Sequence, residues 1–127
     1  MIMKVVLVTG SRRIKPKGLP AQKVMEVLDG WSIDLLIHGA AQGVDTIAEV
    51  WANIRSTPTI PMPAKWRDRG RIAGLERNTA MLDILGILRD YGHYCSVVAF
   101  PDRDSVGTRN CIKQAFNRGF VVETWEM

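Results

Sequence analysis

The sequence predicts a three-layer α/β/α domain built on a five-stranded parallel sheet. Three observations carry this. Five short runs rich in Val and Ile are Val5–Val8, Leu35–Ile37, Thr59–Met62, Val97–Phe100 and Val121–Thr124. Most are continuously apolar rather than alternating, which is the pattern of strands covered on both faces. Segments with helical spacing separate them, and the order βαβαβαβαβ requires right-handed crossovers that put helices on both sides of one open sheet. At 127 residues, 46% hydrophobic and 24% charged, the chain has the size and composition of one globular domain, residues 1–127.

Taken in order, the first run ends in Gly10-Ser11-Arg12-Arg13. A helix from Leu19 to Leu28 then sets Val24, Val27 and Leu28 on one side. The second run ends in His38-Gly39-Ala40-Ala41-Gln42-Gly43-Val44-Asp45, and a helix follows from Asp45 to Ile54. Thr46 and Glu49 have capping-box spacing there, and Ile47, Val50, Trp51 and Ile54 share a face. Lys65, Trp66 and Arg67 read as loop. Leu75 to Arg89 is the next helix, with Met81 and the Leu82–Leu88 cluster as its core side. The fourth run ends in Pro101 and the segment through Asn110. The last helix covers Gly107 to Arg118, and Gly119 closes it in the manner of a glycine C-cap.

Charge and cysteine content narrow the classes. The two cysteines, Cys95 and Cys111, do not make a disulfide framework and point to a reducing compartment, hence a cytoplasmic protein. His38, His93, Cys95 and Cys111 lack paired ligand spacing, so no metal and no cofactor are expected. Met1 to Gly10 is too short for a membrane span or a signal peptide, and no membrane role is expected. The formal net charge is +4. Segments 10–18, 63–77 and 102–113 hold twelve of the seventeen Lys and Arg residues but only four of the thirteen Asp and Glu. One rim of the sheet is therefore basic.

In open parallel sheets ligands bind beyond the carboxyl ends of the strands, where the strand order reverses. The segments that follow the strands are the candidate site. Glycines there let backbone N–H groups approach an anion, and helix N-termini add partial positive charge. The candidate ligand-binding residues are Gly10, Ser11 and Arg12 after the first strand and His38, Gly39, Gly43 and Asp45 after the second. Trp66, Arg77 and Asn78 follow the third, and Pro101, Gly107, Thr108 and Arg109 follow the fourth. Phosphates are expected on the backbone amides of Gly10-Ser11 or Gly107-Thr108. Asp45 reads either as a helix cap or as a ribose-hydroxyl acceptor. Trp66 reads either as a base-stacking surface or as a cover for its loop.

No Gly-Lys-Ser/Thr phosphate loop and no G-x-G-x-x-G fingerprint occur. The chain instead resembles the SLOG superfamily, which takes its name from DprA and the cytokinin-activating LOG enzymes. Within it, the resemblance is to the small YspA/YpsA-related branch. It rests on Val8-Thr9-Gly10-Ser11-Arg12, on His38 through Asp45, and on Pro63-Ala64-Lys65-Trp66 with Gly70-Arg71. It continues through Ala73-Gly74 with Arg77-Asn78, Ala99-Phe100-Pro101 and Gly107-Thr108. The resemblance implies a Rossmann-like fold and a nucleotide or nucleotide-derived ligand. LOG-type enzymes cleave the N-glycosidic bond of a nucleoside monophosphate with an arginine from an Arg-Lys-x-x-Met run and a glutamate from a Pro-Gly-Gly-x-Gly-Thr-x-x-Glu run. Arg77-Asn78-Thr79-Ala80-Met81 matches the first run except at Asn78, and Cys111 stands where the glutamate belongs.

Three functions follow. The first is a sensor or sequestering module that binds a phosphorylated nucleotide ligand. The second is a LOG-like phosphoribohydrolase with Arg77 as its catalytic residue and Asp45, Glu49, Asp102 or Asp104 in place of the lost carboxylate. The third, ranked below these, is a DprA-like binder of single-stranded nucleic acid, for which Trp66 alone is placed to stack. Trp31, Trp51 and Trp125 suggest an aromatic surface for a homo-oligomer.

Overall fold

A computed structural model describes residues 1–127. Its strands are β1 (Lys4–Gly10), β2 (Leu35–His38), β3 (Thr59–Pro61), β4 (Tyr94–Phe100) and β5 (Val121–Thr124). Its helices are α1 (Leu19–Asp29), α2 (Val44–Arg55), the single turn α3 (Trp66–Arg69), α4 (Ala73–Asp90) and α5 (Val106–Asn117). A 3₁₀ turn over Gly70–Ile72 joins α3 to α4. The strands form one all-parallel sheet in the order β3-β2-β1-β4-β5. The order reverses between β1 and β4, and that is the switch point of the fold.

Strand periodicity divides the core in two. Val6, Val8, Leu36, Val98 and Phe100 face α1 and α2. Val5, Leu7, Ile37 and Val97 face α4 and α5, where Met81, Leu82, Leu85, Cys111 and Ala115 meet them. The three-layer expectation holds, and Val24, Val27 and Leu28 of α1 are buried as their spacing predicts. Gly119, at φ +79°, follows the last turn of α5 as read.

Several local expectations fail. Helix α2 starts at Val44, so Thr46 lies inside it and cannot cap it. The Thr46 hydroxyl donates to the Ala41 carbonyl and Glu49 bonds His38, so no capping box forms. Ala48 and Ala52 take the buried face with Ile47 and Trp51, and Val50 and Ile54 turn outward. Trp66 opens a helical turn rather than lying in loop. Of the three tryptophans expected to offer an aromatic surface, Trp51 is buried and Trp31 and Trp125 are half-buried. Trp51 donates to Asp29, Trp31 and Trp125 donate to Glu123, and Lys23 lies over the Trp125 ring. No helix is long and apolar enough to cross a membrane.

Candidate ligand-binding cavity at the switch point

A cavity of about 360 Å³ opens beyond the carboxyl ends of β1, β2 and β4. Its walls include Gly10 and Arg12 after β1, Asp45 at the start of α2, and Gly107 and Thr108 at the start of α5. Trp66, Arg71, Arg77 and Asn78 close it from the α3–α4 side.

Two loops are stapled together to form its floor. The Ser11 N–H donates to the Phe100 carbonyl at 2.9 Å, and the Ser11 carbonyl accepts from the Val44 N–H at 3.0 Å. The backbone of one residue thus ties the ends of β1 and β4 to the head of α2. The Asp102 carboxylate completes the staple. It accepts from the Ser11 hydroxyl at 2.5 Å, from Arg13 Nε at 2.9 Å and Nη2 at 2.7 Å, and from the Ser105 hydroxyl at 2.8 Å. The Arg13 and Ser11 bonds hold this carboxyl far below the usual carboxylate range.

The second loop is folded around its own side chains. Asp45 Oδ2 accepts from the Gly39 and Ala41 N–H groups at 3.1 and 3.2 Å. His38 Nδ1 accepts from the Ala40 N–H, and its Nε2 pairs with Glu49 Oε1 at 2.7 Å. Asp45 is only 5% exposed. Burial pushes its carboxyl up, and the two amides together with nearby cationic groups pull in the other direction.

Arg77 projects from α4 across this loop. Its Nη1 donates to the Gly39 carbonyl at 2.5 Å and its Nε to Asn78 Oδ1 at 3.1 Å. A Cβ at position 39 would overlap the guanidinium, so glycine there is what admits Arg77. Burial lowers the Arg77 pKa and the charge of Asp45 opposes that. An arginine remains protonated in either case. Asn78 Nδ2 donates to the Gly107 carbonyl and to Asn110, which locks α4 to the first turn of α5. No protein group takes up the N–H of Gly107 or Thr108, as expected for a first helical turn. Above the cavity, the Arg12 guanidinium lies 4.7 Å from the centre of the Trp66 ring. The edge of that ring rests against Gly74, where a Cβ would sit 2.8 Å from Trp66 Cη2.

Of the residues expected at the site, Gly10, Arg12, Asp45, Trp66, Arg77, Asn78, Gly107 and Thr108 converge on the cavity. The other six do not line it, for identifiable reasons. Ser11 spends its N–H on Phe100 and its hydroxyl on Asp102, so it cannot offer the anion contact expected of it. His38 is buried and satisfied by Glu49 and the Ala40 amide. Gly39 serves the close approach of Arg77. Gly43, at φ +79°, lets the second loop press against the Ser11 and Arg12 backbone. Pro101 is buried and its carbonyl accepts from Met127. Arg109 turns away to Glu126 and the Asp102 carbonyl. Asp45 is no N-cap, because Gly43 holds that place and the carboxylate reaches back to Gly39 and Ala41.

Arg71, absent from the expected ligand contacts, also lines the cavity, as does Asp104, which was expected only as a stand-in for the lost carboxylate. The signal for Arg71 lay in the Gly70-Arg71 pair, two residues ahead of Ala73-Gly74. Cys111 is fully buried among core residues, and burial pushes its thiol up to about 12.

Comparison with known proteins agrees with this architecture. The model of the YspA, cpYpsA-related SLOG family matches residues 4–68. The Gene 61 protein of Mycobacterium phage D29 is 34% identical over 127 residues, covering 94% of each chain. Among solved structures, DNA processing protein A (DprA) from Streptococcus pneumoniae superposes with a TM-score of 0.53 at 18% identity. That match covers 94% of this chain and 58% of DprA, so the chain spans little more than half of that protein.

Proposed function

The chain belongs to the YspA, cpYpsA-related SLOG family, and from that premise we propose that it binds a phosphorylated nucleotide or nucleotide-derived ligand in the cavity at the β1/β4 switch point, as a sensor or sequestering module. The observation that carries the reading is the convergence of unpaired anion-binding groups on one small cavity. Arg12 and Arg71 make no ion pair, and the Gly107 and Thr108 amides point from a helix N-terminus. Arg77 keeps Nη2 free of protein partners. About 360 Å³ lies at the small end of the roughly 300–1,000 Å³ usual for ligand sites, which suits a mononucleotide.

The arrangement favours binding over cleavage. An N-glycosidase stabilises an oxocarbenium-like centre with a carboxylate. Cys111 supplies none, Glu49 is held by His38, and Asp102 is consumed by the loop staple; of the two carboxylates left on the cavity wall, Asp45 commits Oδ2 to the Gly39 and Ala41 amides and Asp104 is exposed, where solvent screens its charge.

The test is calorimetric titration with AMP, GMP, CMP and UMP, and with a single-stranded oligonucleotide, at two salt concentrations. We expect at least one mononucleotide to bind with a shallow salt dependence. Each phosphate neutralised on a single strand contributes a slope of about −0.7. Tight oligonucleotide binding with a slope of several units, and no mononucleotide binding, would replace this reading with a nucleic-acid one.

A further inference from the structure

One buried side-chain atom in the molecule has no hydrogen-bond partner, and it belongs to the cavity wall: Asp45 Oδ1. Buried acceptors are almost always paired, so an orphan calls for an explanation. The residue's structural task is complete without this atom. Oδ2 alone takes the Gly39 and Ala41 amides. Asp45 makes none of the six ion pairs, and the nearby Arg77 guanidinium is directed to the Gly39 carbonyl and Asn78 instead. Oδ1 accepts when the carboxyl is ionised and donates when it is protonated, and a hydroxyl answers it in either state.

The rest of the cavity restricts the partner of Oδ1. The groups suited to an anion are Arg12, Arg71, and the free amides of Gly107 and Thr108 on the β4 side. Asp45 stands on the β2 side. The apolar surfaces suited to a flat ring, Trp66 and Leu75, are 44% and 40% exposed and lie at the rim, whereas Asp45 is the deep, buried wall. A ligand that fills the cavity therefore presents an anion to one side, a ring to the rim and a hydrogen-bonding group to Asp45.

Resting on the nucleotide reading above, we propose that Asp45 Oδ1 receives a ribose hydroxyl of the ligand and makes the cavity selective for ribonucleotides over deoxyribonucleotides. A site built to bond a hydroxyl rejects the analogue lacking it, because the buried acceptor is then left unpaired. A hydrogen bond to a charged group corresponds to about ten- to a hundredfold in affinity.

The probes are AMP, GMP, CMP and UMP, each beside its 2′-deoxy and 3′-deoxy analogue, together with ribose 5-phosphate and 2-deoxyribose 5-phosphate. Each is titrated calorimetrically into the wild-type chain and into Asp45→Asn, with thermal melting to check folding. The expected result is that removing one of the hydroxyls weakens binding about ten- to a hundredfold in the wild type. Asp45→Asn should shrink the ratio of ribonucleotide to deoxynucleotide affinity toward one. Equal wild-type affinity for ribo and deoxy forms overturns the proposal and leaves the nucleotide reading standing. Discrimination that persists in a folded Asp45→Asn also overturns it, as does a variant that changes only the preference among bases, which would assign Oδ1 to a base N–H. If no nucleotide or sugar phosphate binds the wild type, both readings fall. Should Asp45→Asn not fold, the wild-type comparison of sugars decides alone.

Discussion

Removing the Arg77 guanidinium is the sharpest test of the cavity. Its Nη1 and Nε are held by Gly39 and Asn78, so the group is fixed in place, and Nη2 is left for a ligand. A charge-assisted hydrogen bond from a half-buried group contributes about 1.5–3 kcal/mol, so Arg77→Ala should weaken mononucleotide binding roughly ten- to a hundredfold. The same substitution strips the Gly39 carbonyl of its partner and should cost about 1–3 kcal/mol of stability. The two effects are separable, because affinity is measured by titration well below the melting transition and stability by thermal unfolding. Arg69→Ala is the control. Arg69 pairs with Glu76 at 2.9 Å, both are about half exposed, and neither lines the cavity. Its loss should leave affinity unchanged and cost no more than about 1 kcal/mol. If Arg77→Ala folds and binds as well as the parent, Arg77 only braces the Gly39 loop and the anion site lies elsewhere.

Three further outcomes follow from the same geometry. Asp102 has a folded-state pKa below its unfolded value, so its contribution to stability is present above about pH 4 and is lost as pH falls from there toward the folded value; thermal melts from pH 6 to pH 2 should show a shallower acid decline for Asp102→Asn than for the wild type, and parallel curves would refute the staple. Gly39→Ala has no backbone strain to absorb, but its Cβ must displace the Arg77 guanidinium, so titration should show an affinity loss close to that of Arg77→Ala with a stability loss of under about 3 kcal/mol. Incubation with AMP, GMP, CMP and UMP should release no free base over many minutes by chromatography, since loss of acid–base assistance alone removes about 10²–10⁴-fold in rate; multiple turnovers would reject the binding-only reading.

The sheet was legible because its signal is redundant. Val5 through Val8 sends alternate residues into two separate cores, which is why the run is continuously apolar. Crossover handedness then puts helices on both faces and the cavity at the carboxyl ends of the strands, while the strand order β3-β2-β1-β4-β5 comes from the structure. Which residue at each strand end faces the cavity was not legible, because that depends on bonds across the switch point. Ser11 and Thr108 look alike in sequence, each a hydroxyl residue after a glycine. Ser11 is claimed by Phe100 and Asp102, some ninety residues away, and Thr108 is not. The glycines of the second loop misled in a similar way. Their spacing suggests amides turned toward an anion, yet Asp45 and His38 take three of those amides for the loop itself. Alanine in place of outward apolar residues explains the miss on α2. Ala48 and Ala52 pack closely against the sheet and carry the buried face that Val50 and Ile54 were expected to fill.

The basic rim read from composition is narrower once its pairs are drawn. Arg13, Arg69 and Arg109 each answer a carboxylate, at Asp102, Glu76 and Glu126. Arg12 is spread over the Trp66 ring. Arg12, Arg71 and Arg77 face the cavity without a carboxylate partner, while Lys15, Lys17, Lys65, Arg67, Arg103 and Lys113 make no ion pair and lie outside its lining. A polymer of phosphates gains affinity from many neutralised charges along a groove, and its binding falls steeply with salt. Three guanidinium groups around a space of about 360 Å³ suit one phosphorylated molecule taken in end-on. Within that space the Gly107 and Thr108 amides come from the β4 side, Arg12 from the end of β1, Arg71 and Arg77 from the α3–α4 segment, and the unpaired Asp45 oxygen from the β2 side. A ligand must carry an anion and a hydrogen-bonding group on one compact frame to satisfy the anion-seeking groups and Asp45 together, and a mononucleotide does so through its phosphate and its sugar.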